Sequence, residues 1–295
     1  MIYVCVLNYN NVEDTLACLD SLQKLTYIEY RILIVDNNSR DRSSEILQQY
    51  ADEYPESVKF FSLNINRGYA AGNNMALRYA MSQGDMEYCW ILNNDTLVDP
   101  NSLTWLVEYM KKHQDVGICG SKLIYSWDRT KIQGYGGKYN PWLSISDTIK
   151  EEECIDKIDF VIGASVFVRK SFLEDIGLMC EDYFLYFEEL DWKKRAEGKY
   201  KISCEPRSIV YHKEGATIGV DKKSGSQRKS EIADYFEMRN RLLFTYRFYP
   251  YCLPTVYVVS LIKILNRLRR QQYRRAFSFV KLLFGIRDSK FESNI

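Results

Sequence analysis

The chain has 295 residues and a hydrophobic content of 46%, which suffices for one large domain or two small ones with a sizeable core. Its eight cysteines are scattered without a C-x-x-C pair, which fits reduced thiols in a cytosolic compartment better than a disulfide framework. The formal net charge of +1 conceals a basic C-terminal part, because residues 236–290 carry twelve Lys and Arg residues against only Glu237 and Asp288.

The first 95 residues alternate between short apolar runs and helical patterns. The apolar runs at 2–7, 31–35, 58–63 and 88–92 are predicted to be buried strands. Because the first strand begins directly after Met1, no signal peptide is expected. A β-α-β-α-β-α-β order with short loops predicts a parallel sheet that is covered by helices on both faces.

Polar residues follow each of these four strands, in the clusters 8–11, 36–39, 64–68 and 93–95. Because the carboxyl ends of parallel strands meet at one edge of a sheet, we expect these clusters to converge where ligands bind in open α/β sheets. The last cluster, Asn-Asn-Asp, has carboxylate and amide oxygens that suit a divalent cation carrying a diphosphate. Taken alone it favours an ordinary turn, and the convergence of the four clusters reverses that balance.

The middle of the chain is predicted to contain further strands and a loop-rich segment. A helix begins at Pro100, and residues 126–157 predict hairpins or a flexible lid whose aromatic side chains stack on a sugar or pack on the surface. The predicted strands are 116–125, 160–168, 202–205 and 208–211. Gly163 and Ala164 interrupt the second of these, where small residues let a ligand approach closely.

Titratable residues form one notable group, in which Glu188, Glu189 and Asp191 follow an aromatic run. Three carboxylates so close together are costly to bury, because like charges repel. The alternative is an exposed helix start, where the helix dipole favours acidic residues. His212 ends a predicted strand, whereas His113 resembles an ordinary helix-end residue.

The C-terminal part, from Ser230 onward, has a helical hydrophobic period. The apolar segment 254–268 is followed by a strongly basic stretch at 269–275 and by further apolar residues. This alternation predicts a helix lying in a membrane interface, and the alternatives are a helical hairpin packed on the body, a nucleic-acid patch or a dimer contact. No apolar run approaches the roughly 20 residues that a membrane-spanning helix needs.

These motifs, in this order, resemble those of family-2 glycosyltransferases of the GT-A fold, and most of all the rhamnosyltransferase-like branch. The matching pieces are Asn8-Tyr9-Asn10, 35–41, 66–73, 92–95, Gly163-Ala164, 187–195, His212, Tyr235 and Arg239-Asn240. Two pieces depart from the family pattern. The family usually has Glu-Asp where this chain has Glu188-Glu189, and Asp-Glu where it has Cys180-Glu181.

The resemblance implies an α/β GT-A fold with a Rossmann-like, mostly parallel sheet and helices on both faces. It implies a catalytic domain at 1–229 and a helical, basic amphipathic extension at 230–295. The implied activity is metal-dependent, inverting transfer of a hexose, with L-rhamnose as the leading candidate. The donor would be a dTDP- or UDP-linked sugar, and the acceptor a hydroxyl of a surface polysaccharide or lipid-linked oligosaccharide. The protein would be cytoplasmic and peripheral at the inner face of the membrane, without a nucleic-acid partner.

The resemblance also implies roles for individual residues. Glu189 would be the general base, with Glu188 and Asp191 as supporting or competing carboxylates. Asp95 and His212 would hold a Mg or Mn ion against the departing diphosphate. The residues expected to bind the nucleotide sugar are Asn8, Asn10, Asp36, Arg67, Gly68, Gly72, Asn94 and Asp95. Among them Asp36 would bind the nucleobase, and the glycines would let the backbone approach the ligand.

Two other functions remain open at this point. A catalytically degenerate GT-A scaffold at the membrane surface is one, because this chain has Glu189 where the family has Asp. The other is a different nucleotide-binding enzyme, such as a nucleotidyltransferase or a dehydrogenase. That enzyme would need a glycine-rich loop directly after the first strand, and residues 8–11 contain no glycine.

Overall fold

A computed structural model describes residues 1–213 and 230–292 of the chain. The elements of the first part are β1 Ile2–Asn8, α1 Val12–Leu22, β2 Tyr30–Asp36, α2 Ser43–Glu53, β3 Val58–Ser62, α3 Gly68–Ser82 and β4 Tyr88–Asn93. The second part contains β5 Thr96–Val98, α4 Ser102–Lys112, β6 Val116–Tyr125, β7 Ile132–Gly134, β8 Gly136–Asn140, β9 Ile145–Ile149, β10 Ser165–Arg169, α5 Lys170–Ile176, α6 Glu188–Ala196 and β11 Lys201–His212. The C-terminal helices are α7 Glu231–Phe248, α8 Leu253–Arg269, α9 Tyr273–Leu283 and α10 Ser289–Glu292.

The central sheet has the strand order β3-β2-β1-β4-β10-β6-β11-β5. Strands β1 to β4 pair in parallel, as predicted, whereas β10 is antiparallel to both β4 and β6. The register places Asn8 beside Asp36 and Leu7 beside Asn93. The polar clusters that follow β1, β2 and β4 therefore meet at one edge of the sheet, as their positions after parallel strands predict.

Helices cover both faces of the sheet, and β1 shows how its sequence achieves this. Ile2, Val4 and Val6 pack into the core that contains residues of α1, α2 and α4. Tyr3 and Cys5 point the other way and pack with residues of α3, α5 and α6. Because side chains alternate along a strand, a continuous apolar run fills two cores at once.

Two predicted strand boundaries are wrong. The strand expected at 160–168 begins only at Ser165, and Phe160 instead forms an isolated bridge with Gly137. The two strands expected at 202–205 and 208–211 are one strand, β11, whose pairing with β6 shifts register between Glu205 and Ile209. Pro206 lies within this shift, where its missing N–H cannot join the ladder. Of the alternatives for residues 126–157, the structure has a hairpin, formed by β8 and β9.

The C-terminal helices pack on one another around a buried carboxylate. Asp234 of α7 is buried and pairs with Arg267 of α8 and Arg275 of α9. The expectation that no apolar segment approaches membrane-spanning length is wrong. By length and composition, the 20 helical residues Pro250–Arg269 are long and apolar enough to cross a membrane, as are some core helices of soluble proteins. The domain boundary at 229 stays a prediction.

Candidate active site

Side chains at the ends of β1, β2 and β4 form one hydrogen-bonded network at the sheet edge. Asn8 Nδ2 donates to Asp36 Oδ1 at 2.7 Å and to Ser39 Oγ at 3.0 Å. Thr15 Oγ1 donates to Asn8 Oδ1 at 2.7 Å and accepts from Asn94 Nδ2 at 2.9 Å. Asn8 and Asp36 are fully buried. The network therefore brings three of the predicted nucleotide residues together, beneath the loops rather than on their surface.

The loops above this network are joined by Asn10. Its backbone N–H donates to Ser39 Oγ at 2.8 Å, and its Oδ1 accepts from the Arg40 N–H at 2.6 Å. Asn10 has a φ of +52°, in the left-handed region that asparagine tolerates better than most residues. Asn10 is exposed. The loops after β1 and β2 thus form a single rim, and Ser39 is a member of it that sequence analysis missed.

Gly68 and Gly72 are required by contacts within the protein. A Cβ on Gly68, whose φ is +89°, would lie 2.2 Å from the carbonyl oxygen of Phe184. A Cβ on Gly72 would lie 2.4 Å from Leu7 Cδ1. The structure therefore explains both glycines by close packing of α3, whereas the sequence-based explanation was close approach to a ligand. Their contact with a nucleotide stays a prediction.

Arg67 lies at the start of α3 and shares one carboxylate with two neighbours. Its Nη2 lies 3.5 Å from Glu181 Oε2, while Arg78 Nη2 and Asn74 Nδ2 donate to Glu181 Oε1 at 2.6 and 3.0 Å. The Arg67 side chain is 60% exposed. Its guanidinium therefore stands in solvent at a helix N-terminus, where the helix dipole also favours an anion.

Asp95 and His212 are brought together by the pairing of β5 with β11. His212 Nε2 lies 3.3 Å from Asp95 Oδ1, and both residues are buried. On the other side of the ring, Nδ1 lies 2.9 Å from Gln133 Oε1. Because that amide oxygen can only accept a hydrogen bond, Nδ1 is the donor in this contact, and Nε2 is the ring nitrogen that faces the Asp95 carboxylate. Two electron-pair donors that face each other suit a shared cation.

The Asp95–His212 pair fits a cation whose remaining ligands come from elsewhere. Among the residues that the structure describes, no group of three or more His, Cys, Asp or Glu side chains is arranged to hold a metal ion. Mg²⁺ is commonly held by one or two protein side chains together with substrate phosphates and waters. The pair therefore matches a metal that arrives with a diphosphate, and does not match an all-protein cage.

Glu188 and Glu189 begin α6 in a water-poor environment. Glu188 is fully buried and Glu189 is partly buried. Burial raises the pKa of Glu189 to about 7. Burial, with a further contribution from the charge of Glu189, raises the pKa of Glu188 well above its ordinary value. The alternative of an exposed helix start therefore fails for Glu188, and Glu189 has the proton affinity of a base that works near neutral pH.

Asp191, the third carboxylate, has partners for both of its oxygens. Arg195 Nε donates to Asp191 Oδ1 at 2.5 Å, and the Tyr183 hydroxyl donates to Oδ2 at 3.1 Å. Arg195 also donates to the carbonyl oxygens of Ile176 and Leu178, at 2.6 and 2.8 Å. Asp191 therefore ties the body of α6 to the loop that follows α5, whereas Glu189 makes no such ion pair with a described residue.

The carboxylates of α6 and the Asp95–His212 pair lie at the same edge of the sheet. Glu189 Oε1 lies against Gly163, where an added Cβ would approach it to 2.0 Å. The next residue, Ala164, accepts a hydrogen bond from the Asn93 N–H at 3.2 Å. Asn93 ends β4, two residues before Asp95. The structure thus places Glu189 and Asp95 at the same edge of the sheet although 94 positions separate them in the sequence.

Comparisons with known proteins point to one family of enzymes. The model of a family described as glycosyl transferase family 2 matches residues 3–177. Poly-beta-1,6-N-acetyl-D-glucosamine synthase of Staphylococcus epidermidis is 28% identical over 213 residues, which are 72% of this chain and 49% of that protein. The synthase of the same name from Staphylococcus aureus strain MSSA476 is 24% identical over 217 residues, 73% of this chain and 50% of that protein. The chain thus spans about half the length of these curated relatives.

Solved structures share the fold at low sequence identity. TarS 1–349 of Staphylococcus aureus in complex with UDP-GlcNAc has a TM-score of 0.57 at 17% identity, covering 100% of this chain and 83% of that one. The mannosyltransferase PcManGT of Pyrobaculum calidifontis, in complex with GDP-Man and Mn2+, has a TM-score of 0.57 at 16% identity, covering 88% and 74%. The predicted GT-A fold is therefore confirmed, and the rhamnosyltransferase-like branch stays a prediction.

Proposed function

The chain belongs to glycosyl transferase family 2, whose model matches residues 3–177, and we propose that it is an inverting glycosyltransferase. The donor would be a nucleoside-diphosphate sugar and the acceptor a saccharide hydroxyl. The observation that carries this proposal is Glu189, whose pKa is raised to about 7 and which lies at the same sheet edge as Asp95 and His212. A base and a cation site at one edge are what such a transfer requires.

Glu189 acts as the general base in this mechanism. The acceptor hydroxyl attacks the anomeric carbon, and Glu189 takes its proton while the new glycosidic C–O bond forms. The bond from the anomeric carbon to the diphosphate oxygen breaks on the opposite face, which inverts the configuration. Glu188, whose pKa is raised by burial and by the charge of Glu189, stays beneath the first turn of α6 and is not itself the base.

Asp95 and His212 would hold a Mg or Mn ion, which supplies positive charge to the leaving diphosphate. Gln133 fixes the orientation of the His212 ring through the 2.9 Å contact with Nδ1, so that Nε2 faces Asp95. The names of the solved neighbours favour a metal, since PcManGT is in complex with GDP-Man and Mn2+.

The rim formed by residues 8–11 and 36–39 would hold the nucleoside. Asn8 and Asp36 act from beneath by fixing the rim, and the exposed Arg67 guanidinium would face the diphosphate. Two sugar nucleotides are the first donors to test. L-Rhamnose linked to dTDP follows from the sequence resemblance, and UDP-GlcNAc follows from the names of the staphylococcal relatives and of the TarS complex.

The proposal is tested by turnover of a panel of UDP-, dTDP- and GDP-linked sugars, with and without Mn²⁺. We expect one donor to raise the melting temperature and to release nucleoside diphosphate, at a rate that rises with pH around a midpoint near 7. Glu189→Gln should lower turnover about 10²–10⁴-fold while it still binds the nucleotide. The exposed Glu53→Gln is the matched control. Binding of a nucleotide sugar without any turnover would favour the scaffold function. Full activity of Glu189→Gln would refute the role of Glu189 as the general base.

The outer face of α8 supports a second part of the proposal, namely peripheral association with an anionic membrane surface. Val258, Leu261, Ile262 and Leu265 are each at least 50% exposed. The opposite stripe, Val256, Ser260 and Ile264, is buried. Residues 250–287 contain eight Lys and Arg residues and no acidic residue. Asp234 neutralises Arg267 and Arg275, whereas Arg269, Arg270 and Arg274 are exposed. An apolar helix face next to such exposed positive charge fits a lipid interface, with the sugar acceptor presented from the bilayer.

Charge reversal tests the membrane contact in the full-length protein. Arg269, Arg270 and Arg274 are exposed and pair with no acidic residue in the described part of the chain. We expect sedimentation with phosphatidylglycerol-containing vesicles, weakened by salt, and at least about tenfold weaker binding after Arg269→Glu and Arg270→Glu. Reversal of the exposed Lys111 and Lys112 is the control. Equal vesicle binding by the Arg269/Arg270 variant and the Lys111/Lys112 variant would refute the membrane contact. A dimer that buries the outer face of α8 would also refute it.

A further inference from the structure

The segment that leads into α6 has an unusual backbone. Phe184, Tyr186 and Phe187 have φ values of +63°, +72° and +77°. Each such conformation is unfavourable for a residue other than glycine, and it persists only where surrounding contacts impose it. Phe187 directly precedes Glu188, so the path of this segment determines where the first turn of α6 directs its carboxylates. The contacts that impose the path therefore bear on the candidate active site.

One side chain of α7 meets this segment at three points. Asn240 is fully buried, and its Nδ2 donates to the carbonyl oxygens of Tyr183, Leu185 and Tyr186 at 2.7, 2.8 and 3.2 Å. An amide nitrogen has two hydrogens, so three acceptors at these distances require one shared hydrogen. A single amide thus gathers the carbonyls of a four-residue turn around itself.

Arg239 fixes the orientation of that amide and adds a fourth contact. Its Nη1 donates to Asn240 Oδ1 at 2.8 Å and to the carbonyl oxygen of Asp182 at 2.7 Å. With Oδ1 bound to a guanidinium, Nδ2 must face the segment. The Arg239-Asn240 pair, which belongs to the sequence motifs but has no assigned role, therefore acts as one unit on residues 182–186.

The opposite side of the segment is fixed by α3. The Tyr69 N–H donates to the Phe184 carbonyl oxygen at 2.7 Å, and Gly68 leaves no room for a Cβ there. Tyr69 also reaches the active-site edge, because its hydroxyl donates to the Gly163 carbonyl oxygen at 2.7 Å. The segment is thus held between α3, which carries residues of the candidate site, and α7 of the C-terminal region.

We propose that Asn240 is a positioning residue for the transfer reaction. By holding the carbonyls of Tyr183, Leu185 and Tyr186, it sets the start of α6 so that Glu189 lies against Gly163 at the sheet edge. The role of Glu189 in this inference rests on the proposed function, whereas the hold on the segment does not. Asparagine suits the position because aspartate of the same size cannot donate and alanine has no donor.

The test uses the full-length protein and the graded series Asn240→Gln, Asn240→Ser and Asn240→Ala. Gln keeps both donor hydrogens on a longer arm, Ser keeps one donor and Ala keeps none. The control is Thr245→Val, also buried on α7, whose hydroxyl donates to the carbonyl oxygen of Arg241 at 2.7 Å. The control removes a buried hydrogen bond of the same helix without reaching the segment.

We expect kcat to fall by about 10–100-fold along the series, with the KM for the donor within about twofold of the wild-type value. The midpoint of the kcat–pH profile should also move down from about 7, because a relaxed segment admits water to Glu189. Asn240→Gln should recover part of the loss. A wild-type kcat and pH midpoint in Asn240→Ser and Asn240→Ala would overturn the inference, as would an equal loss in Thr245→Val at equal stability.

Hydrogen exchange separates this inference from the proposed function. Amides of residues 183–190 should exchange at least about tenfold faster in Asn240→Ser than in the wild type and in Thr245→Val, with β1 to β4 unchanged. Absence of turnover by the wild type with every donor would reject the proposed function and leave this measurement valid. Unchanged exchange at 183–190 would show that Asn240 does not hold the segment. Asn240→Ser serves this purpose if Asn240→Ala does not fold.

Discussion

Replacing Glu189 with glutamine should stabilise the protein at alkaline pH and leave its stability unchanged at acidic pH. Burial raises the pKa of Glu189 to about 7, from 4.5 for an unperturbed glutamate. The folded protein therefore keeps this proton up to about pH 7, whereas the unfolded chain releases it near pH 4.5. Wild-type stability should fall across this window as pH rises, and glutamine, which cannot ionise, removes that loss.

The size of this effect on the free energy of unfolding follows from the same two pKa values. At about 1.36 kcal/mol for each pKa unit, the ionised carboxylate opposes folding by up to about 3 kcal/mol at pH 8. The free energy of unfolding is measured by urea denaturation of wild type, Glu189→Gln and Glu53→Gln between pH 5 and pH 8. The gain of Glu189→Gln over wild type should grow from pH 5 to about pH 7 and level off above that pH. The exposed Glu53→Gln should show no such growth.

A constant difference between wild type and Glu189→Gln across this range would refute the argument. A difference that shrinks with pH would show that the anion of Glu189 is favoured in the folded protein. The dipole of α6 is the obvious source of such an effect, because Glu189 lies in its first turn. In either case Glu189 would not have the proton affinity that the proposed base requires.

Three further predictions concern packing, charge and the metal site. In urea denaturation, Gly68→Ala should lower the free energy of unfolding by about 2–3 kcal/mol more than Gly84→Ala. Both glycines have a positive φ, but only Gly68 has a carbonyl oxygen where the added Cβ would lie. Asp234→Ala should cost about 3 kcal/mol by the same method, since it leaves two partly buried arginines of α8 and α9 without their anion. Gln133→Leu should weaken Mn²⁺ binding in the presence of nucleoside diphosphate by about 10–100-fold in calorimetry, because the His212 ring loses its orientation. Unchanged affinity would show that Gln133 does not orient a metal ligand.

Elements that depend on hydrophobic periodicity were predictable from the sequence. The apolar run at 2–7 became β1, and its polar continuation at Asn8 lies beside Asp36 because the two strands pair in parallel. The convergence of the polar clusters is thus a geometric consequence of strand order. The same local logic misjudged β11, where Pro206 interrupts the sequence pattern but the pairing with β6 resumes beyond it.

Contacts between residues far apart in the chain were not predictable in this way. Gln133 orients His212 across 79 positions, and Asn240 reaches the carbonyl of Leu185 across 55. A hydrophobic period shows which face of an element is buried, but it does not show which polar atom a buried side chain will meet. For the same reason, the sequence marked Gly68 as important but did not show that Phe184 packs against it.

Three carboxylates of one short sequence, Glu188, Glu189 and Asp191, show why position in a motif does not assign a role. Asp191 is occupied on both oxygens, by Arg195 and Tyr183, so it belongs to the framework of α6. Glu188 is fully buried, and its Oε1 has no hydrogen-bond partner among the described residues. Only Glu189 combines partial exposure with a pKa raised to about 7, at the edge where Gly163 meets β4. A proton acceptor must be reachable by the substrate and unoccupied by the protein, and by that criterion the base is Glu189.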